Sequence, residues 1–267
     1  VSRFKSLADI DRRKPKEVTL ATLPQEVSMT NYAKEKAFKI SELVRKIHEE
    51  SYEWYGFTIA DRDNAELITD IGLPQNDHNL QEYATIGAAG IADYHESLAE
   101  YTIINGWIHS HGALKYMHFS NTDEENQATV LDFVTARLKR AVAKKEIAIQ
   151  DLQLLVKDEF EEEELEKGSV SLITDGVISE ATIMETIYGG FSYSIVIGDE
   201  GWHEQEIHYK ERGVISGYSR ISKKKADLVL IDTGRSLTQA DILALGKEVE
   251  VKIQPNTNPP PEIIERM

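Results

Sequence analysis

The chain of 267 residues is long enough for one large domain, or a medium-sized domain with an appendage, to bury a core without metals or disulfides. It contains no cysteine, which excludes disulfide frameworks, thiolate zinc sites and a cysteine nucleophile. Its 46 acidic and 30 basic residues give a net charge of −16, which repels phosphate backbones and disfavours nucleic acid as a partner.

The hydropathy of the chain indicates neither a membrane span nor a secretory leader. There is no apolar run of about 18 residues and no charged segment followed by an apolar one at the N-terminus. We therefore expect a protein that does not bind membranes and that is located in the cytoplasm. Short basic runs at 11–16, 137–145 and 223–225 lack the interleaved aromatic residues of a nucleic-acid-binding surface, and we interpret them as solvated faces.

The first elements are predicted from changes in hydrophobic period. Residues 1–34 are polar, contain two prolines and show no sustained period, which is typical of an N-terminal arm. Apolar residues at helical spacing predict an amphipathic helix at 35–50. The β-rich stretch WYGFTIA at 54–60, a turn at 61–64 and a second stretch at 65–73 together predict a hairpin.

The middle of the chain alternates short strands with helices. The pattern predicts a strand at 82–86, a helix at 88–101 and a buried strand at 102–108. After Ser120, apolar residues at helical spacing continue as far as Val142, which predicts one long helix.

The second half of the chain gives less regular signals. The acidic run at 159–166 lacks the ligand spacing of a calcium-binding loop, so we interpret it as a solvated helix face or loop. Strong strand patterns follow at 191–197 and 204–209. Beyond residue 212 the pattern predicts a strand at 228–231, a helix at 238–245 and a strand at 249–253.

The window INGWIHSHGALKYMHFSNTDEEN holds the residues with metal-binding chemistry. If the strand is extended through His111, then His109 and His111 project from the same face and can share one ion. Asp123, in the first turn of the following helix, is a third ligand of the kind that catalytic zinc sites use beside two histidines. These three residues are therefore a candidate metal site.

A purely structural interpretation of the same residues stays open. Histidines at the edge of a strand often only form hydrogen bonds. Ser120 and Asp123 have the spacing of a helix capping box, with Asp in place of the usual Glu or Gln. His118 lies in the connecting loop without a fixed spacing to the other candidates, which indicates a surface or supporting role.

The run from His109 and His111 through Ser120 to Asp123, with Glu53 upstream in EWYGF, resembles the JAMM motif of the MPN (JAB) domain zinc metalloproteases. The resemblance extends from about residue 36 to residue 209 and includes several further positions: Gly56, Gly106, Trp107, Asn126, Gln127 and SIVIG at 194–198. This chain departs from the family at two points. Eight residues separate the second histidine from the serine where the family usually has seven, and Gly112 stands where proline is common.

The family resemblance implies a fold class and a domain organisation. We expect an α/β fold in which a mixed β-sheet is flanked by helices, as in MPN/JAB domains. The metalloprotease-like domain would cover 35–212 and carry an insertion at about 147–189. Residues 213–267 would form a C-terminal extension of unknown role.

The resemblance also implies a site and an activity. Zn²⁺ would be bound by His109, His111 and Asp123, with Glu53 as the general base and Ser120 as a hydrogen-bond donor to the oxyanion. The expected activity is hydrolysis of the peptide or isopeptide bond after the C-terminal Gly-Gly of a ubiquitin-like or sulfur-carrier-like modifier. Two alternatives remain: a noncatalytic MPN scaffold that binds protein partners, and a zinc amidohydrolase that acts on another substrate.

Overall fold

The computed structural model describes residues 18–76, 88–148, 153–156, 171–174 and 182–255. The elements in chain order are β1 (Val27–Thr30), α1 (Asn31–His48), β2 (Trp54–Asp61), β3 (Leu67–Ile68), β4 (Asp70–Gly72), α2 (Ala88–Glu96), β5 (Thr102–Ser110), α3 (Asn121–Arg137), β6 (Arg140–Ala148), β7 (Gln153–Val156), β8 (Ser171–Thr174), β9 (Thr182–Ile197), β10 (His203–Gly213), β11 (Ser219–Lys225), β12 (Leu228–Ile231) and α4 (Gln239–Lys252). The predicted strand at 82–86 and the acidic run at 159–166 lie outside the described residues.

A mixed sheet of seven strands forms the centre of the fold. Six strands follow the order β11-β10-β9-β5-β2-β4, and β6 pairs with the N-terminal half of β9. The β5–β9 pair is parallel, whereas β2–β5 and β9–β10 are antiparallel. Two smaller parallel sheets join β12, β1 and β3, and β7 with β8. The expectation of an α/β fold with a mixed sheet flanked by helices is therefore confirmed at this level.

Helices cover both faces of the central sheet. On one face, apolar side chains of α1 and α4 pack against alternate residues of β5, β9 and β10, including Ile108, Ile195 and Ile207. On the other face, Val130 and Val134 of α3 pack against Trp107 of β5 and its neighbours. Because side chains alternate along a strand, Trp107, His109 and His111 share the α3 face, while Ile108 and Ser110 face α1.

The N-terminal boundary of the fold differs from the predicted arm at 1–34. Residues Val27–Thr30 form β1, which pairs in parallel with β12 on one side and β3 on the other. Val27 and Met29 are fully buried, and α1 begins at Asn31 after the N-cap Thr30. The segment from residue 27 onward is therefore part of the core. Local sequence patterns could not predict this strand, because both of its partner strands are distant in the sequence.

Two predicted helices end earlier than their apolar pattern suggests. Helix α2 ends at Glu96 rather than at 101, and α3 ends at Arg137, so Val142 does not extend it. Residues Arg140–Ala148 instead form β6, antiparallel to the first half of β9. Strand β9 has 16 residues and begins inside the segment predicted as an insertion at 147–189, well before the predicted strand at 191–197.

The predicted strand at 249–253 is wrong, because α4 extends to Lys252 and Ile253 is its C-cap. Leu245, Val249 and Ile253 recur every four residues and are buried against α1, whereas Val251 is exposed. Helix α4 packs on α1, and β12 pairs with β1, so the described part of the C-terminal extension is bound to the same core.

A search of the described helices finds none that is both long enough and apolar enough to cross a membrane.

Candidate metal centre

Two histidines and one aspartate converge at the end of β5 against the start of α3. The Nε2 atoms of His109 and His111 are 3.0 Å apart. Asp123 Oδ1 is 3.1 Å from the Nε2 of His109, and Oδ2 is 3.5 Å from the Nε2 of His111. All three side chains are buried, and their ligand atoms lie within 4.8 Å of one another. The group could therefore hold a metal ion.

The position of Asp123 is fixed by the helix capping box. Its Oδ2 accepts a hydrogen bond from the backbone N–H of Ser120 at 2.6 Å, and its own N–H donates to the Ser120 hydroxyl at 3.3 Å. Both reciprocal bonds are present, so the predicted capping box is confirmed. Because the cap uses Oδ2, Oδ1 is directed towards His109.

Neighbouring groups set the orientation of both imidazole rings. His111 Nδ1 lies 2.8 Å from the carbonyl oxygen of Tyr116. Since a carbonyl only accepts, Nδ1 must carry the proton, and in the neutral ring this leaves the Nε2 lone pair free for a metal. The ring of His109 stacks on Trp107 with centroids 4.4 Å apart and planes inclined by 7°. The indole of Trp107 is itself held by a 3.1 Å hydrogen bond to Ser194.

The donor set and its spacing fit zinc. Two imidazole nitrogens and one carboxylate are a ligand set of catalytic zinc sites, which keep one further position open. Zinc–nitrogen distances of about 2.0–2.1 Å in a tetrahedral site separate neighbouring ligand atoms by about 3.3–3.4 Å. The distances between the ligand atoms of His109, His111 and Asp123 fall on both sides of this value. Only small side-chain shifts would be needed.

The electrostatics favour the metal-binding forms of His109 and Asp123, whereas His111 would have to lose a proton from Nε2 before it binds a metal. Burial lowers the pKa of His109, against the opposing effect of Asp123. Burial also acts to lower the pKa of His111, but hydrogen bonds with Asp123 and the Tyr116 carbonyl raise it above its ordinary value. The negative charge of Glu53 adds to this increase. Burial acts to raise the pKa of Asp123, yet hydrogen bonds from the two histidines hold that pKa well below its usual range, so the carboxylate stays ionised.

Glu53 lies at the same end of the sheet as the two histidines. It directly precedes β2, whose first residue Trp54 pairs with Ser110, between His109 and His111. The side chain of Glu53 is buried, with 7% of its surface exposed, and its charge acts on His111. Glu53 is thus a buried carboxylate close enough to the candidate metal group for its charge to act on His111.

The other polar residues of the window have separate roles. His118 is exposed, and its Nδ1 lies 2.9 Å from Oε2 of Glu204 on β10, outside the histidine–aspartate group. Ser110 points away from the group and accepts a hydrogen bond from the N–H of Gly112. The prediction that His118 has a surface or supporting role is therefore confirmed.

The two departures from the family pattern lie in the loop 112–119. Gly112 has φ +54°, a left-handed conformation that proline cannot adopt, and a Cβ there would meet the Ser51 hydroxyl at 2.7 Å. The carbonyl of Gly112 accepts a hydrogen bond from the N–H of Asp199, and the carboxylate of Asp199 accepts one from the hydroxyl of Ser51. The longer loop is thus held at its start and presents the Tyr116 carbonyl to His111.

Sequence patterns did not single out two groups that contact the site. Trp202 packs edge-on against His111, with ring centroids 6.0 Å apart, and Tyr116 acts through a backbone carbonyl. A carbonyl has no signature in the sequence. The place of Trp202 depends on the β9–β10 turn, which brings a residue 91 positions beyond His111 back to the same end of the sheet.

The candidate centre thus combines a buried donor set, a buried carboxylate beside it and a capping hydroxyl at the edge. No protein-family model and no curated protein gives a significant match to the chain. The function has to follow from the chemistry that these side chains can perform together.

Proposed function

We propose that the protein is a zinc-dependent isopeptidase or peptidase that cleaves after the C-terminal Gly-Gly of a ubiquitin-like or sulfur-carrier-like modifier. The observation that carries this proposal is the convergence of His109, His111 and Asp123 with their ligand atoms within 4.8 Å, next to the buried Glu53. The match between these residues and the JAMM pattern supports the substrate class. The partners of the protein would then be ubiquitin-like modifiers or their conjugates.

The metal and the protein would divide the chemistry between them. Zinc bound by the two histidines and Asp123 would lower the pKa of a water towards neutrality and polarise the scissile carbonyl. The protein supplies a buried setting for this, because the residues His109, His111 and Asp123 are each at most 4% exposed. Trp107 and the Tyr116 carbonyl hold the histidine rings in a fixed orientation.

Glu53 is the residue suited to proton transfer. Its carboxylate would take a proton from the attacking water and pass it to the nitrogen of the scissile bond, so that this nitrogen leaves as a neutral amine and not as an amide anion. Glu53 is buried, and the fully buried Trp54 and Tyr55 follow it in the chain. Removal of such a group typically costs about 10²–10⁴ in rate.

Ser120 has the hydrogen-bonding capacity for a second role. In the capping box its hydroxyl accepts from the N–H of Asp123, which leaves the hydroxyl proton free to donate. That proton would stabilise the negative charge that develops on the substrate carbonyl oxygen. A single serine would then serve both the start of the helix and the reaction.

A Glu53→Gln substitution tests the proposal. The substitution should leave zinc bound at wild-type stoichiometry and lower cleavage of a Gly-Gly-Lys isopeptide substrate by about 10²–10⁴-fold, because only the proton acceptor is lost. Glu49→Gln is the matched control, since Glu49 is an exposed glutamate at the end of α1. Zinc would be measured by elemental analysis of protein purified without chelator.

Three outcomes separate the alternatives. If wild-type protein purified without chelator contained no zinc, the proposal of a zinc enzyme would be overturned. Zinc without cleavage of any peptide or amide would favour a scaffold that binds partners. If Gly-Gly and Ala-Ala substrates were cleaved equally, or if only other amides were cleaved, the substrate would not be a Gly-Gly-tailed modifier. The result would then favour a zinc amidohydrolase that acts on another substrate.

A further inference from the structure

A cavity lies at the end of α3 that is distant from the candidate metal centre. It has a volume of about 680 Å³ and opens between the last turns of α3 and the paired strands β9 and β10. We call it the basic cleft. Ten residues line it, and these include Asp132, Lys139, Tyr188, Lys210, Arg212 and Val214. Pockets for small molecules usually measure about 300–1,000 Å³, so the cleft has the right size for such a ligand.

The charge of the basic cleft is opposite to that of the whole chain. Lys139, Lys210 and Arg212 face a single carboxylate, Asp132, although the chain carries a net charge of −16. Lys210 is buried and forms its ion pair with Asp132. Lys139 and Arg212 form no ion pair within the part of the chain that the structure describes. Two cationic groups are therefore available to an anion.

The strand pairing places the cationic and aromatic groups side by side. Arg212 pairs with Tyr188, and Lys210 pairs with Gly190, in the antiparallel β9–β10 ladder. Paired residues project from the same face of a sheet, so Arg212 and Tyr188 line one wall together. A Cβ on Gly190 would come within 2.3 Å of the Leu138 carbonyl, so the glycine lets the end of α3 approach β9 and close the floor of the cleft.

The rim of the basic cleft is apolar. Tyr188 is 39% exposed, and Val214, at the end of β10, is 82% exposed. An apolar or aromatic ligand group that covers these two side chains would remove exposed apolar surface from water. The cleft therefore offers cationic groups for one end of a ligand and an aromatic wall for the other.

From this arrangement we infer that the basic cleft binds a small organic phosphate, with the phosphate on Arg212 and Lys139 and an apolar or aromatic body on Tyr188 and Val214. Arginine and lysine together match a dianionic group, because charge-assisted hydrogen bonds to phosphate oxygens are stronger than neutral ones. Asp132 and the C-terminal end of α3 both oppose an anion, so binding needs Arg212 and Lys139 together. The site is separate from the metal centre and does not depend on its proposed activity.

Phenyl phosphate is a suitable probe, since it joins a phosphate to an aromatic ring. Titration of the full chain, followed by calorimetry and by NMR shifts, should give saturable binding at one site. Inorganic phosphate and phenol, each carrying one half of the probe, should bind at least about 10-fold more weakly. Arg212→Ala or Lys139→Ala should weaken phenyl phosphate binding by about 10-fold or more, the loss expected for one charge-assisted hydrogen bond. Lys144→Ala, an exposed lysine on β6 that does not line the cleft, should leave it unchanged.

The same variants need a control for folding, and two results would overturn the inference. Unchanged thermal unfolding and metal content in Arg212→Ala and Lys139→Ala would establish that both remain folded. The inference is overturned if phenyl phosphate does not saturate, or if the Lys144 variant weakens binding as much as the Arg212 variant. If inorganic phosphate and phenyl phosphate bound with equal affinity, the aromatic wall would contribute nothing to binding. That result would contradict the proposed ligand class.

Discussion

Helices α3 and α4 begin with the same local motif in two different settings. Ser120 and Asp123 form a capping box at the start of α3, and Thr238 and Asp241 form one at the start of α4. In each box the N-cap N–H donates to Oδ2 of the aspartate, at 2.6 Å in α3 and 2.9 Å in α4. The backbone geometry of the two boxes is therefore nearly the same.

The settings of the two aspartates differ in burial and in neighbours. Asp123 is 4% exposed, and its carboxylate faces two histidines. The hydrogen bonds of Asp241 lie at the surface, and its pKa is lowered chiefly by the backbone N–H of Thr238. A capping box thus fixes an aspartate in space without deciding what it does. The residues opposite the helix N-terminus decide whether it can become a ligand.

The largest difference between the two boxes should appear on Asp→Asn substitution. Asn keeps an oxygen that can accept the N-cap N–H but removes the charge. Asp123→Asn should lower zinc affinity by at least about 100-fold, more than the loss of a supporting partner usually costs. Asp241→Asn should leave it unchanged. Competition with a chromophoric chelator measures both, and full zinc affinity in Asp123→Asn would exclude this aspartate as a ligand.

A smaller difference is expected on loss of the capping hydroxyl. Ser120→Ala and Thr238→Ala should each lower the free energy of unfolding by about 1 kcal/mol, because each removes a capping acceptor. Only Ser120→Ala should also lower kcat, by about 10²–10³-fold, and Ser120→Thr should restore most of it. Urea unfolding and single-substrate kinetics separate the two effects. If kcat were equal in the wild type and in Ser120→Ala, Ser120 would have only its capping role and no role in the reaction.

The smallest effect concerns the pH dependence of stability at the exposed box. The pKa of Asp241 is lowered in the folded protein, so its ionised form contributes stability above the unfolded pKa of about 4. That contribution is lost as the pH falls through the folded pKa. Asp241→Asn should therefore flatten the loss of stability below about pH 4. Urea unfolding between pH 6 and pH 3 would test this, and an unchanged slope would contradict it.

Sequence spacing was enough to put forward His109, His111 and Asp123 as candidate ligands, whereas Glu53 was expected only from the family resemblance. The alternation of His109 and His111 on one strand and the four-residue capping box are both local rules, and each holds in the structure. Metal binding itself stays a prediction. The carbonyl of Tyr116 and the contact from Trp202 depend on loop conformation and on distant strand pairing, for which a single sequence has no local signal.

The end of α4 illustrates why some elements could not be predicted. Val249, Val251 and Ile253 alternate with polar residues, which is typical of a strand. Leu245, Val249 and Ile253 also follow a four-residue spacing, and this spacing prevails because α1 offers an apolar surface to that side. The helical spacing prevails because of contacts with α1, whose Leu43 lies 202 positions before Leu245.

The β6 strand was missed for a related reason. Val142 continues the apolar spacing of α3, but the helix ends at Arg137 and the chain pairs with the first half of β9. That partner strand begins only at Thr182, in a segment where the sequence indicated an insertion. Long-range strand pairing therefore overrode a local helical pattern.

The placement of the candidate ligands in the chain has a consequence for folding. His109, His111 and Asp123 lie within 15 consecutive residues, whereas Glu53 is 56 positions before the first of them. Closing the short loop costs little chain entropy, so an ion could already bind an incompletely folded β5–α3 segment. The carboxylate of Glu53 arrives only once β2 has paired with β5. Metal occupancy and catalytic competence would thus be reached at different stages of folding, and a variant could be fully loaded with zinc while its sheet is not yet assembled.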